Sequence, residues 1–127
     1  MPDYLDVLVV DFDNTICPFR EDLVTEGLVP GVIDSLTKLK KMGYRIIISS
    51  ARNNIAYGGC TGVGHREMAR FLTEHDVPYD SIDTGTTGKP VAYRYIDDKG
   101  VGCPLTPEGY VDWKKVYEML KDGPPPQ

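Results

Sequence analysis

The chain contains no apolar run long enough to span a bilayer, no cysteines at metal-ligand spacing, no excess of basic charge and no internal repeat. Each absence removes a class of function. Without a segment of about 20 apolar residues no membrane-spanning helix is expected. Asp3 and Asp6 interrupt the N-terminus early, so no signal-like segment is expected, and the cytosol is the expected location, with no membrane partner. A net charge of −5 argues against a broad basic face for nucleic acid but leaves a local basic pocket open. Cys17, Cys60 and Cys103 are odd in number and far apart, with no CxxC, which reads as reduced thiols in a cytosolic protein. His65 and His75 have no second ligand at useful spacing and read as helix-surface residues. Gly58, Gly59, Gly62 and Gly64 match neither a P-loop nor a dinucleotide fingerprint. The 53–64 loop that contains them, and Cys60, reads equally as a flap or as plain linker.

What is present is an alternation of short β-branched runs with amphipathic stretches. At 127 residues the chain is read as one domain, 1–122, with a flexible Pro-rich tail at 123–127. Val7-Leu8-Val9-Val10 is a near-continuous apolar run, the pattern of a parallel strand covered on both faces. Residues 17–29 form a connecting segment. Pro30-Gly31 opens a helix with Val32, Ile33, Leu36, Leu39 and Met42 at helical spacing, ended by Gly43. Tyr44 to Ile48 reads as a second strand, His65 to His75 as a second helix, and Pro78 to Ile82 as a short third strand. Lys89-Pro90 is expected to open a helical turn, Tyr93 to Ile96 to form a fourth strand, and a last helix to carry Trp113, Val116, Tyr117 and Leu120. Right-handed βαβ crossovers then give an α/β fold, a three-layer open parallel sheet of Rossmann type flanked by helices.

Four polar groups fall at the carboxyl ends of these strands or in an adjoining turn: Asp11 with Asp13, Ser50 with Arg52, Lys89, and Asp97 with Asp98. Loops at that edge form the ligand crevice of open α/β sheets. Asp11 and Asp13, one residue apart, repel each other and cost desolvation unless a cation or a difference in protonation relieves them. Singly, each group has a dull explanation, as a helix cap, a surface charge or a turn. Four on one edge of one sheet indicate a site.

The runs VLVVDFDNT, RIIISSAR, GKP and YIDD, in that order and with Lys89 eight residues before Asp97, resemble the haloacid dehalogenase superfamily, specifically its small capless phosphatases. The resemblance spans about residues 5–101. It implies that Asp11 is a nucleophile forming an aspartyl-phosphate, and that Asp13 is the general acid and then the base, with its pKa raised relative to that of Asp11. It further implies Mg²⁺ held by Asp11, the backbone carbonyl of Asp13 and Asp97, with Asp98 ligating directly or through water. Ser50 would bind a phosphoryl oxygen, and Lys89 would hold both Asp11 and the phosphoryl group. Asn14 stands where many members have Gly, and Tyr93 where several carry an acid. Asn14 and Thr15, which complete the first motif, fall among the expected substrate-binding residues.

Ser50-Ala51-Arg52 is similar to the Ser-Gly-Arg of polynucleotide kinase phosphatase domains, which implies that Arg52 binds the phosphate end, with Arg20 as a second guanidinium. The chain lacks the clustered Cys and His of the family's zinc-loop branch, which includes the histidinol-phosphate and heptose-bisphosphate phosphatases. The expected function is therefore Mg²⁺-dependent hydrolysis of a small phosphorylated metabolite, a nucleotide or sugar phosphate. The alternatives are a phosphatase of polynucleotide ends, a non-hydrolytic phospho-accepting module, and an idle binding domain. The oligomeric state is left open.

Overall fold

Strand β1 (Val7–Asp11) is the axis of the molecule. Val7, Leu8, Val9 and Val10 are all buried, which requires cover on both faces and a neighbour on each edge. The computed structural model, which describes residues 4–19, 27–50, 65–83 and 90–125, provides both neighbours. On one edge β1 pairs in parallel with β2 (Arg45–Ser49), with Asp11 opposite Ser49. On the other it pairs in parallel with β4 (Arg94–Ile96), with Val10 opposite Ile96. The short β3 (Ser81–Ile82) adds to β2, giving the order β3-β2-β1-β4. The chain thus moves outward from β1 to β3 and then returns to the far side of β1. That reversal opens a crevice beyond the carboxyl ends of β1 and β4. The expected open parallel α/β sheet is the observed fold.

Helix α1 (Val32–Lys41) forms where expected, with Val32, Ser35, Leu36 and Leu39 as its buried stripe. Asp34 in its first turn and Lys38, Lys40 and Lys41 in its last complement the helix dipole. Gly43, at φ 106°, turns the chain out of the helix, and the Tyr44 N–H still donates to Leu39 O at 3.2 Å. Tyr44 therefore belongs to the helix terminus, and β2 begins one residue later than the apolar pattern implies. Helix α2 (His65–Glu74) buries Met68, Phe71 and Leu72. The Phe71 ring meets Phe12 edge-on at 5.6 Å, and the half-buried His75 stacks on Phe71 at 4.1 Å.

Helix α3 (Trp113–Leu120) is capped by Asp112, whose carboxylate accepts from the Lys115 N–H at 3.1 Å. It packs beside α1: Ser35 Oγ donates to Trp113 O, and Tyr44 Oη to Leu120 O. Trp113 Nε1 donates to Thr15 O at 2.7 Å, tying α3 to the loop after β1. Residues 123–125, in the expected tail, are half-buried, with Pro124 beside Gly43. Among the described residues no helix is long and apolar enough to cross a membrane. Cys17 is buried and Cys103 half-buried, and neither is in a disulfide among the described residues.

Two expected elements need correction and one was not foreseen. The third strand is confined to Ser81–Ile82 because Pro78 has no N–H and the Asp80 carboxylate takes the Ile46 N–H, at 2.7 Å, that a longer strand would use. Residues 90–92 form no helical turn, since the chain there runs directly into β4 and the Tyr93 N–H donates to Val7 O at 2.9 Å. Between β4 and α3, Leu105 and Val111 form an antiparallel bridge around the turn Thr106-Pro107-Glu108-Gly109. Pro and Gly at those turn positions are a readable signal.

Trp113→Phe should remove the donor to a buried carbonyl and part of a fully buried ring, lowering stability by about 2–4 kcal/mol. Urea unfolding would show this as a lower midpoint at unchanged slope. An unchanged midpoint would show that the tie between α3 and the β1 loop contributes nothing.

Candidate metal centre

The hydrogen-bond ladder of β1 delivers Asp11 to the edge of the crevice, and β4, ending at Ile96, delivers Asp97 and Asp98 beside it. One carboxylate oxygen from each of these three lies within 4.8 Å of the others, although more than 80 residues separate Asp11 from the pair in the chain. All three residues are half-buried. This is the convergence that the strand-end acids imply.

The two acids that follow β4 are held differently, Asp97 by backbone N–H groups and Asp98 by side chains. Asp97 Oδ1 accepts from the Lys99 N–H at 2.9 Å, and Asp97 O from the Gly100 N–H at 3.1 Å, so the turn after β4 closes on Asp97 itself. Asp98, with its side chain 11% exposed, receives Asn14 Nδ2 at 3.3 Å and has Lys99 Nζ at 3.8 Å. Lys99 is 85% exposed, so water screens most of its charge.

Burial first, then the Asp97 charge, then the hydrogen bond and charge of Asp98, push the Asp11 carboxyl up from 3.8 to about 8; the Phe12 N–H opposes them. The two acidic neighbours of Asp11 come from the far end of β4 and are invisible in the local motif. The same carboxylates push the half-buried Cys103 thiol up, after burial itself.

The donor set fits a hard divalent cation. Carboxylate oxygens are the ligands Mg²⁺ takes, and the spacing lies within the span of one coordination sphere, whose opposite ligands stand about 4.2 Å apart. The raised pKa of Asp11 shows a deficit of positive charge that such an ion removes. Asp11, Asp97 and Asp98 would hold it.

The other expected site residues fare differently. Asp13 lies two residues beyond Asp11, half-buried and bridged to Cys17, outside the carboxylate trio; its expected ligand was the backbone carbonyl. Ser50, half-buried, follows the Asp11–Ser49 register pair on the neighbouring strand. Thr15, expected at the substrate, is fully buried, with no hydrogen-bond partner for Oγ1 among the described residues. Asn14, also expected at the substrate, spends both ends of its amide on the protein, on Asp98 and on the Phe19 N–H. Lys89, Arg52, Arg20, Cys60 and the 53–64 loop lie outside the described residues. The contact of Asn14 with Asp98 is what sequence reasoning missed. The local motif signals only a tight turn, with no sign of an acceptor 84 positions away.

No family model and no curated protein matches the chain. Among solved structures, a conserved protein from Bacteroides thetaiotaomicron superposes with a TM-score of 0.63 at 22% identity, covering 91% of this chain and 89% of that one. A structural-genomics target from Vibrio cholerae gives 0.54 at 25% identity, covering 92% and 98%. A D,D-heptose 1,7-bisphosphate phosphatase from Burkholderia thailandensis gives 0.40 at 22% identity, covering 61% and 52%. The first two are similar over nearly their whole length, which shows the shared fold.

The electrostatics have a measurable sign. Between about pH 4 and pH 8 the folded, metal-free chain keeps a proton on Asp11 that the unfolded chain has released. The contribution of Asp11 to stability is therefore lost as pH rises through that window. The metal-free wild type should melt progressively lower than Asp11→Asn on going from pH 5 to pH 8, and Mg²⁺ should reverse the loss at pH 8. Parallel melting curves for the two proteins across that range would contradict the account.

Proposed function

We propose that this chain is a Mg²⁺-dependent phosphomonoester hydrolase of haloacid dehalogenase type that works through an aspartyl-phosphate on Asp11. The observation that carries the reading is the convergence of Asp11, Asp97 and Asp98 at the crevice between β1 and β4.

The chemistry follows from the residues. Asp11 attacks phosphorus as a carboxylate, so it must be ionised at neutral pH, against the burial and the acidic neighbours that raise its pKa. Mg²⁺, when bound, supplies the positive charge that ionises Asp11 and lets a phosphate dianion approach several carboxylates. As the bond from Asp11 oxygen to phosphorus forms, the ester oxygen leaves with its electron pair and takes a proton from Asp13. Asp13 then accepts a proton from water as that water attacks the phosphorus of the aspartyl-phosphate, releasing inorganic phosphate and regenerating Asp11. Ser50 and Lys89 hold the non-transferring phosphoryl oxygens. Arg52 binds the phosphate end of the substrate, with Arg20 as a second guanidinium, and that substrate is a small phosphorylated metabolite such as a nucleotide or sugar phosphate.

Release of inorganic phosphate from a panel of nucleoside monophosphates, sugar phosphates and p-nitrophenyl phosphate tests the reading. Activity should require Mg²⁺ and vanish with EDTA, and Asp11→Asn should lower it ~10³-fold or more while the fold is kept. Turnover unaffected by EDTA, or retained in Asp11→Asn, would overturn it. Asp13→Asn should slow hydrolysis of the phosphoenzyme more than it weakens Mg²⁺ binding, so that labelled phosphate accumulates on Asp11 after acid quench. A variant that lost cation binding outright would contradict the acid–base role.

A further inference from the structure

Asn14 connects the two strands that build the candidate centre. Its backbone sits at φ 60°, in the left-handed region, which among the described non-glycine residues is shared only by Asp76. Asn tolerates that region better than most side chains do, and glycine better still. Both backbone groups are fixed: the N–H donates to Cys17 O at 2.7 Å, and the carbonyl accepts from the Val111 N–H at 2.9 Å. The side chain therefore leaves the turn in a defined direction. Its Oδ1 accepts from the Phe19 N–H at 3.0 Å, and its Nδ2 donates to Asp98 Oδ2 at 3.3 Å. A glycine would satisfy this backbone at lower conformational cost. What glycine cannot supply is the amide.

Asp98 needs a restraint. Its carboxylate is held close to those of Asp11 and Asp97, and like charges at that distance repel. Lys99 Nζ approaches the same Oδ2 at 3.8 Å but from an 85% exposed side chain, too mobile and too screened to fix it. We propose that Asn14 is a positioning residue. Its amide, anchored by Phe19, fixes Oδ2 of Asp98, sets the rotation of that carboxylate toward Asp11 and Asp97, and so raises the affinity of the centre for a divalent cation. This rests on the reading of the centre as a cation site. Groups that orient metal ligands typically change affinity 10- to 100-fold when removed.

Calorimetric titration of Mg²⁺ alone into the wild type, Asn14→Gly and Asn14→Ala, with the melting temperature of each in EDTA, separates the amide from the backbone. Asn14→Gly should melt no lower than the wild type, and Asn14→Ala should melt lower, because alanine is strained at this φ. Both should bind Mg²⁺ about 10-fold or more weakly. Affinity would then follow the amide while stability follows the backbone. Asn14→Gly binding Mg²⁺ as tightly as a binding-competent wild type would overturn the inference and leave the cation site standing. Affinity that falls only in Asn14→Ala, together with its stability, would reduce Asn14 to a turn residue and equally overturn it. A wild type that binds no Mg²⁺ would remove both the site and the inference.

Discussion

Mutual repulsion of three half-buried carboxylates is the constraint around which the crevice of this protein is arranged. Nothing in the burial of apolar surface requires Asp11, Asp97 and Asp98 to meet. Their meeting works against folding, as the rise of the Asp11 pKa to about 8 records. Such an arrangement persists when surrounding structure enforces it, and here three features do so. The ladders on both sides of β1 fix Asp11, the Lys99 and Gly100 N–H groups close the turn around Asp97, and Asn14 reaches Asp98. Such a group of acids could hold a metal ion, which would offset the same repulsion.

The fold puts the enforcing elements where the strain is. The chain adds strands outward from β1 and then returns to its other edge, so residues far apart in sequence become neighbours in the sheet. Packing below the crevice keeps them there. Phe12, between Asp11 and Asp13, is fully buried against Phe71, and Thr15, two residues past Asp13, is fully buried with its carbonyl bound to Trp113 on α3. The loop that carries the first acidic motif is thereby clamped from beneath by a helix on which none of the centre's carboxylates lies.

Much of this was legible in the residues. Val7 to Val10 gave the central strand, helical spacing gave α1, α2 and α3, and acids at strand ends gave the location of the centre. The departures are instructive because each involves a hydrogen-bond partner that periodicity does not report. Asp80 substitutes for a strand carbonyl at Ile46 N and shortens β3. Tyr44, apolar enough for a strand, is captured by the end of α1. Asn14 carries a local signal for a turn and none for Asp98. Periodicity reports which face a residue occupies; it cannot report which polar group will meet it from another strand.

The central claim is that one divalent ion takes the place of the proton held among the three carboxylates. Calorimetric titration of Mg²⁺ at pH 7, repeated in buffers of different ionisation enthalpy, counts the protons displaced per ion bound. With the Asp11 carboxyl at about 8, the account predicts saturable binding of one ion with release of close to one proton, and none from Asp11→Asn. Binding without proton release in the wild type, or no binding, would contradict it.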